Sequence, residues 1–106
     1  MNSWMFLSSF ETLRKNMIDT QSFGSILHLG MEAFEGIIGK VVQTVAWTMK
    51  NEVIVNNKLT GIRLVDFYDA LRWEKENQFF NKENHYVSSQ QDFHKIPGSP
   101  IAYWVS

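Results

Sequence analysis

Apolar and polar positions divide the chain into short elements separated by turns that carry glycine or asparagine. It opens in an apolar run, Trp4-Met5-Phe6-Leu7, and Ser8-Ser9-Phe10-Glu11 then has the form of a capping box, a serine N-cap with glutamate three residues on. Phe10, Leu13 and Met17 recur at helical spacing, so the pattern predicts a short amphipathic helix over 9–18. Residues 19–24 read as a turn, and Ser25-Ile26-Leu27-His28-Leu29 as a short strand ended by Gly30. Residues 41–49 place apolar side chains on both faces of a strand, the pattern of a central strand covered on two sides.

Asn56-Asn57-Lys58 predicts a hairpin-like turn, followed by a third strand over Ile62-Arg63-Leu64-Val65-Asp66-Phe67. A polar surface helix is expected over 69–80 and a linker over 81–84. The tail from Tyr86 holds both prolines, Pro97 and Pro100, and finishes in the strand-like stretch Ile101-Ala102-Tyr103-Trp104-Val105-Ser106. Three strands and one good helix can cover one face of a sheet, whereas the 41–49 strand is patterned for two. The expectation is therefore part of a larger α/β sheet, from a truncated or split reading frame or a cloned fragment that stops in mid-strand.

Between the first two strands lies Ala33-Phe34-Glu35-Gly36-Ile37-Ile38-Gly39-Lys40. Neither Gly36 nor Gly39 carries a Cβ, so a loop hinged on them can lie close to a flat ligand. Phe34 at its start has two readings, a ring that stacks on such a ligand or a plain core phenylalanine. At 106 residues the chain holds one domain at most. Its 44% apolar content argues for folding, and a formal charge of -1 gives no global nucleic-acid signature. The lack of cysteine removes disulfides and thiolate metal sites, no apolar run approaches the roughly 18 residues of a membrane span, and the start lacks a signal-peptide pattern. The location expected is cytoplasmic, without a membrane.

Several stretches together resemble the C-terminal part of the catalytic domain of adenine-specific DNA methyltransferases of the Asn-Pro-Pro-Tyr type. They are Ser3-Trp4-Met5-Phe6-Leu7-Ser8-Ser9-Phe10-Glu11, Leu13-Arg14, His28-Leu29-Gly30, Ala33-Phe34, Val41-Val42-Gln43-Thr44 and Ile62-Arg63-Leu64-Val65-Asp66. In the tail they are Asp92-Phe93 and Ile96-Pro97-Gly98-Ser99-Pro100 onward. Within that family the chain is most like the large methyltransferases of phage-exclusion (BREX, phage growth limitation) systems and their single-chain type IIG restriction–modification relatives. The likeness covers nearly the whole chain and is weakest over 68–85. In the loop, Ile38-Gly39-Lys40 stands where relatives more often have two glycines and an acidic residue.

The resemblance implies a partial Rossmann-like class I methyltransferase sheet, α/β, comprising the last strands in mixed or antiparallel order with one or two helices. Residues 1–85 would be the C-terminal portion of the catalytic domain, and 86–106 would lead towards an absent target-recognition region. Phe34 would pack on the flipped-out adenine, with Gly36 and Gly39 as loop hinges. The family's glycine-rich loop for S-adenosylmethionine and its Asn-Pro-Pro-Tyr motif belong upstream and do not occur here. The chain alone is thus expected to bind no cofactor, to carry no catalytic residue and to be inactive.

Lys40 could meet a DNA phosphate, but reads more readily as a solvated loop lysine. His28, His85 and His94 have no metal-ligand spacing, and His28 reads as a satisfied polar group in a strand. Asp66 and Asp69 are expected to favour a helix dipole. Lys50, Lys58, Arg63 and Arg72 form no dense patch, and Tyr86, Phe93, Tyr103 and Trp104 suggest packing. The partners expected are DNA in the full-length enzyme and, for the fragment, a second copy or the missing N-terminal half. The alternative to an enzyme remnant is a small interaction protein that dimerises or complements a separately encoded half.

Overall fold

The computed structural model describes residues 2–31 and 43–105. Four strands, β1 (Ser22–Met31), β2 (Gln43–Lys50), β3 (Lys58–Arg63) and β4 (His85–Ser89), form one sheet in the order β2-β1-β3-β4. β1 pairs antiparallel with β2 and parallel with β3, and β4 lies antiparallel to β3. The helices are α1 (Glu11–Thr20) and the single turn α2 (Lys75–Gln78), with several 3₁₀ turns between elements. The architecture is α/β, a mixed sheet with few helices, compatible with part of a Rossmann-like fold. No helix among the described residues is long and apolar enough to cross a membrane.

The helix expected over 9–18 begins two residues later. Ser8–Phe10 forms a 3₁₀ turn, and the N-cap position falls to Phe10 without a side-chain cap bond. Glu11 faces Lys15 at 3.6 Å instead of reaching back to a serine. The buried face also differs: Phe10 and Leu13 are exposed while Arg14 and Ile18 are buried. Arg14 takes that face because backbone carbonyls converge on it. Its guanidinium donates to Trp4 O at 3.1 Å, Ser99 O at 3.2 Å and Gly98 O at 2.8 Å, and also to Leu7 O. Buried carbonyls in turns and irregular backbone need such partners; Leu7 O also accepts from Phe10 N. Burial holds the Arg14 pKa below its usual value, against the opposing charge of Glu11.

β1 is twice the length expected, starting at Ser22 inside the predicted turn at 19–24, whose first two residues close α1, and running past Gly30. Its pairing with β2 shifts register between Phe23 and Ile26 and again between His28 and Gly30. Gly30 sits at φ +71°, in the left-handed region that glycine enters without cost, and a Cβ there would meet Val65 at 2.9 Å.

The Asn56 turn is present, with Asn56 at φ +58°, yet it closes no hairpin, because β1 lies between β2 and β3. Residues 51–57 cross beneath the start of β1 and are fastened to it. Ser22 Oγ donates to Glu52 O at 2.8 Å and accepts from Ile54 N at 3.0 Å, and Asn57 Nδ2 donates to Phe23 O at 2.9 Å. The third strand ends at Arg63, before most of the 62–67 stretch assigned to it. β2 is likewise no doubly covered central strand. It is an edge strand among the described residues, with only Val45 buried and Trp47 40% exposed.

The tail supplies what the sequence left out, a fourth strand and much of the core. Phe93, Ile101 and Tyr103 are buried with Trp4, Met5, Ile18, Phe23, Ile26 and Leu59. Gln90, also buried, uses every position of its amide: Oε1 accepts from Phe23 N and Asn57 Nδ2, and Nε2 donates to Ile18 O and Gln21 O, all within 2.9 Å. The final residues Ile101–Val105 run as an irregular turn, not as the strand expected. The 85/86 boundary of the sequence reading falls inside β4. On the other sheet face, Leu29 and Leu64 approach α2 and Phe79, and Lys75 is buried there, donating to Leu64 O at 3.0 Å and to Phe67 O. The surface helix expected over 69–80 is broken into a 3₁₀ segment (Asp69–Glu74) and α2.

Candidate site at the strand ends

β1 and β3 are parallel, so their carboxyl ends open on the same side, where ligands collect in open α/β sheets. An open cavity of about 420 Å³ lies there, lined chiefly by Asn2, Phe6, His28, Gln43, Arg63 and Trp104. The N-terminal turn, the end of β1, the start of β2, the end of β3 and the tail each contribute.

His28 is the centre of the arrangement. It points to the core face with Ile26, two residues before it along the strand. Nδ1 lies 2.8 Å from Tyr103 Oη, and Nε2 lies 3.0 Å from Asn2 Nδ2. With the Asn2 amide donating to Nε2, the neutral ring carries its proton on Nδ1 and donates it to the tyrosine. Asn2 Nδ2 also donates to Gln43 Oε1 at 3.2 Å, which ties the N-terminal turn to the start of β2. Burial, reinforced by the charge of Arg63, lowers the His28 pKa to about 4. Tyr103 is pushed well above the ordinary phenol value, by burial first, with Arg63 opposing and Tyr86 and Asp66 adding to the rise. Both groups are neutral at physiological pH.

Arg63 is the cation that lines the cavity among the described residues. Its guanidinium stands 5.1 Å from the Trp104 ring centroid, a cation–π distance, and Nη1 lies 3.0 Å from Asp66 Oδ2. Its Nε is buried without a hydrogen-bond partner. Trp104 is fixed in turn by an edge contact with Phe6 at 5.5 Å and one with Tyr103 at 5.0 Å. The floor beneath is held by Gly61, over which the Tyr103 ring lies directly.

No protein-family model matches the chain. Two known proteins do. The adenine-specific methyltransferase BrxX of Escherichia coli O9:H4 (strain HS) is 47% identical over 107 residues, covering 100% of this chain. The adenine-specific methyltransferase PglX of Lacticaseibacillus casei (strain Zhang) is 43% identical over 112 residues, covering 99%. The chain resembles one segment of these methyltransferases. It spans 9% of the length of each curated relative it matches.

The sites taken from the methyltransferase resemblance, Phe34, Gly36, Gly39 and Lys40, lie outside the described residues. Their segment leaves from Met31 and returns at Gln43, which are register partners, and Gln43 lines the cavity. The reading of His28 as a satisfied strand histidine holds, as does packing for the tail aromatics. His85 Nε2 lies 2.7 Å from Phe79 O, and His94 bridges Ser99 Oγ and Asp19 Oδ1, each at 2.9 Å. Among the described residues no three His, Cys, Asp or Glu side chains gather as metal ligands. Asp66 pairs with Arg63 and starts no helix, contrary to its expected role. Sequence reasoning missed Asn2 and the Arg63–Trp104 pair. The available signal was a lone arginine inside the apolar run 62–67; the tryptophan that meets it is 41 positions away.

Proposed function

We propose that the chain is the C-terminal part of the catalytic domain of an S-adenosylmethionine-dependent adenine-N6 DNA methyltransferase from a phage-exclusion or restriction–modification system. The observation that carries this reading is 47% and 43% identity to two adenine-specific methyltransferases over essentially the whole chain. The sheet lends support, since a strand pair closed antiparallel (β1 and β2) is what the resemblance leads one to expect of the last strands.

In this reading the 32–42 segment, anchored at the rim of the strand-end cavity, brings Phe34 against an adenine flipped out of the duplex. Flipping is required because N6 is inaccessible inside the stack. Stacking on an aromatic contributes about 1–3 kcal/mol. The methyl donor is held elsewhere. The described cavity does not suit it, because its cation, Arg63, would face a sulfonium of like charge, and among the described residues no glycine-rich turn joins a strand to a helix in the way that cradles such cofactors. Methyl transfer needs donor and amine held together, so the segment alone is inactive. Its place of action is the cytoplasm, where DNA is.

The outer edge of β2 favours a partner for the sheet. Among the described residues it has no neighbouring strand, and Ala46, Trp47 and Thr48 are exposed along it. An unpaired edge of this kind is a template for a further strand, supplied by the rest of a longer polypeptide, a separately encoded half or a second copy.

The test is Phe34→Ala in the source cells, read as N6-methyladenine in genomic DNA. Loss of the stack should lower the methylation rate about 10- to 100-fold. Unchanged methylation at every adenine motif would exclude the assigned role.

A further inference from the structure

We infer that Arg63, seated on Trp104 at the strand-end cavity, binds a phosphodiester of a nucleic-acid strand. The inference rests on the methyltransferase reading for the identity of that strand, DNA, and on the cavity itself for the anion. The Arg63 side chain is about three-quarters covered, 28% exposed, and its one charged partner among the described residues, Asp66, is 73% exposed. Such a cation has lost much of its hydration and gained one solvent-screened carboxylate, while its buried Nε has no acceptor. Among the described residues the other polar groups facing the cavity bring no counter-charge. His28 is neutral, and the Asn2 amide nitrogen is engaged by His28 Nε2 and Gln43 Oε1.

A planar guanidinium fixed from behind by an aromatic ring is preorganised to receive phosphate oxygens, and arginine is suited to that geometry. The aromatic surface beside it, Phe6 and Trp104, accommodates the sugar or base attached to such a phosphate. Asp66 competes for the same donors, so it moderates affinity.

The experiment uses the whole polypeptide that carries this chain in the source cell, titrated against a fluorescent DNA duplex at several salt concentrations. Arg63→Gln should weaken binding several-fold and reduce the slope of log K against log salt by about 0.7–0.9, the value for one phosphate. Arg63→Lys should keep the slope, and Asp66→Asn, a change on the rim, should tighten binding. Inorganic phosphate, added at constant ionic strength, serves as the second arm. If it competes with DNA at Arg63 no better than sulfate or chloride at equal charge, the contact is with the strand. If phosphate saturates the site and DNA gains nothing from Arg63, the nucleic-acid assignment falls. An unchanged slope in Arg63→Gln together with unchanged affinity in Asp66→Asn overturns the proposal, while leaving the Phe34 methylation result to stand or fall by itself.

Discussion

His28 shows how a single buried ring couples the site to the stability of the fold. Its pKa of about 4 in the folded chain lies below the usual 6.5 of an unfolded histidine, because burial and the Arg63 charge both oppose protonation. The unfolded state therefore binds the extra proton between those values. The stability this neutral ring contributes is complete above pH 6.5 and is lost as pH falls from 6.5 towards 4. The difference corresponds to roughly 3 kcal/mol. Urea midpoints measured across that window should fall for the wild type, and His28→Gln should show a smaller fall. Equal slopes for the two proteins would contradict the assignment. The residue was legible in the sequence as a satisfied polar group, but its partners Asn2 and Tyr103 were not, since they lie 26 and 75 positions away.

Elements were legible where local periodicity agreed with packing and failed where a distant segment decided the outcome. The first helix, the two strands flanking the Phe34 loop and the turn at Asn56 were all visible in the pattern. The buried face of α1 was not, because Arg14 is drawn inward by carbonyls of the Trp4 turn and of Gly98 and Ser99. β3 was placed four residues late for a related reason. The stretch from Ile62 has the stronger apolar signature, yet the strand is centred on Thr60 and Gly61, where β1 and β4 pair with it and the Tyr103 ring covers the backbone. A Cβ at Gly61 would come within 2.1 Å of that ring, so no ordinary side chain fits without moving the tyrosine. Gly61→Ala should cost about 1–3 kcal/mol or more, the range for overpacking, and should shift the thermal midpoint by several degrees. A midpoint within a degree of wild type would show that the tail can lift from the sheet without loss. The fourth strand, His85–Ser89, escaped notice because its sequence is largely polar and half-exposed; pairing with β3 defines it.

At the scale of the molecule, the sequence conveyed the class of fold and the resemblance to adenine-specific methyltransferases, and the relatives bear the resemblance out along the full chain. The candidate site was only half legible. Its loop, with Phe34, came from the resemblance and lies outside the described residues, whereas the cavity at its anchors is assembled from five separate parts of the chain. That assembly also explains why the tail matters: Trp104 and Tyr103, near the C-terminal end, hold the two groups that give the cavity its charge and its hydrogen-bonded floor. The proposed function has this chain working as a segment inside a larger methyltransferase, and the unpaired edge of β2 among the described residues is consistent with that proposal. The most direct test is to capture the protein from source cells under denaturing conditions with an antibody against residues 86–106, and to map its peptides and mass. A single polypeptide far larger than 12.4 kDa, with peptides continuing beyond this sequence, is the predicted result. A 12.4 kDa product alone would contradict the account.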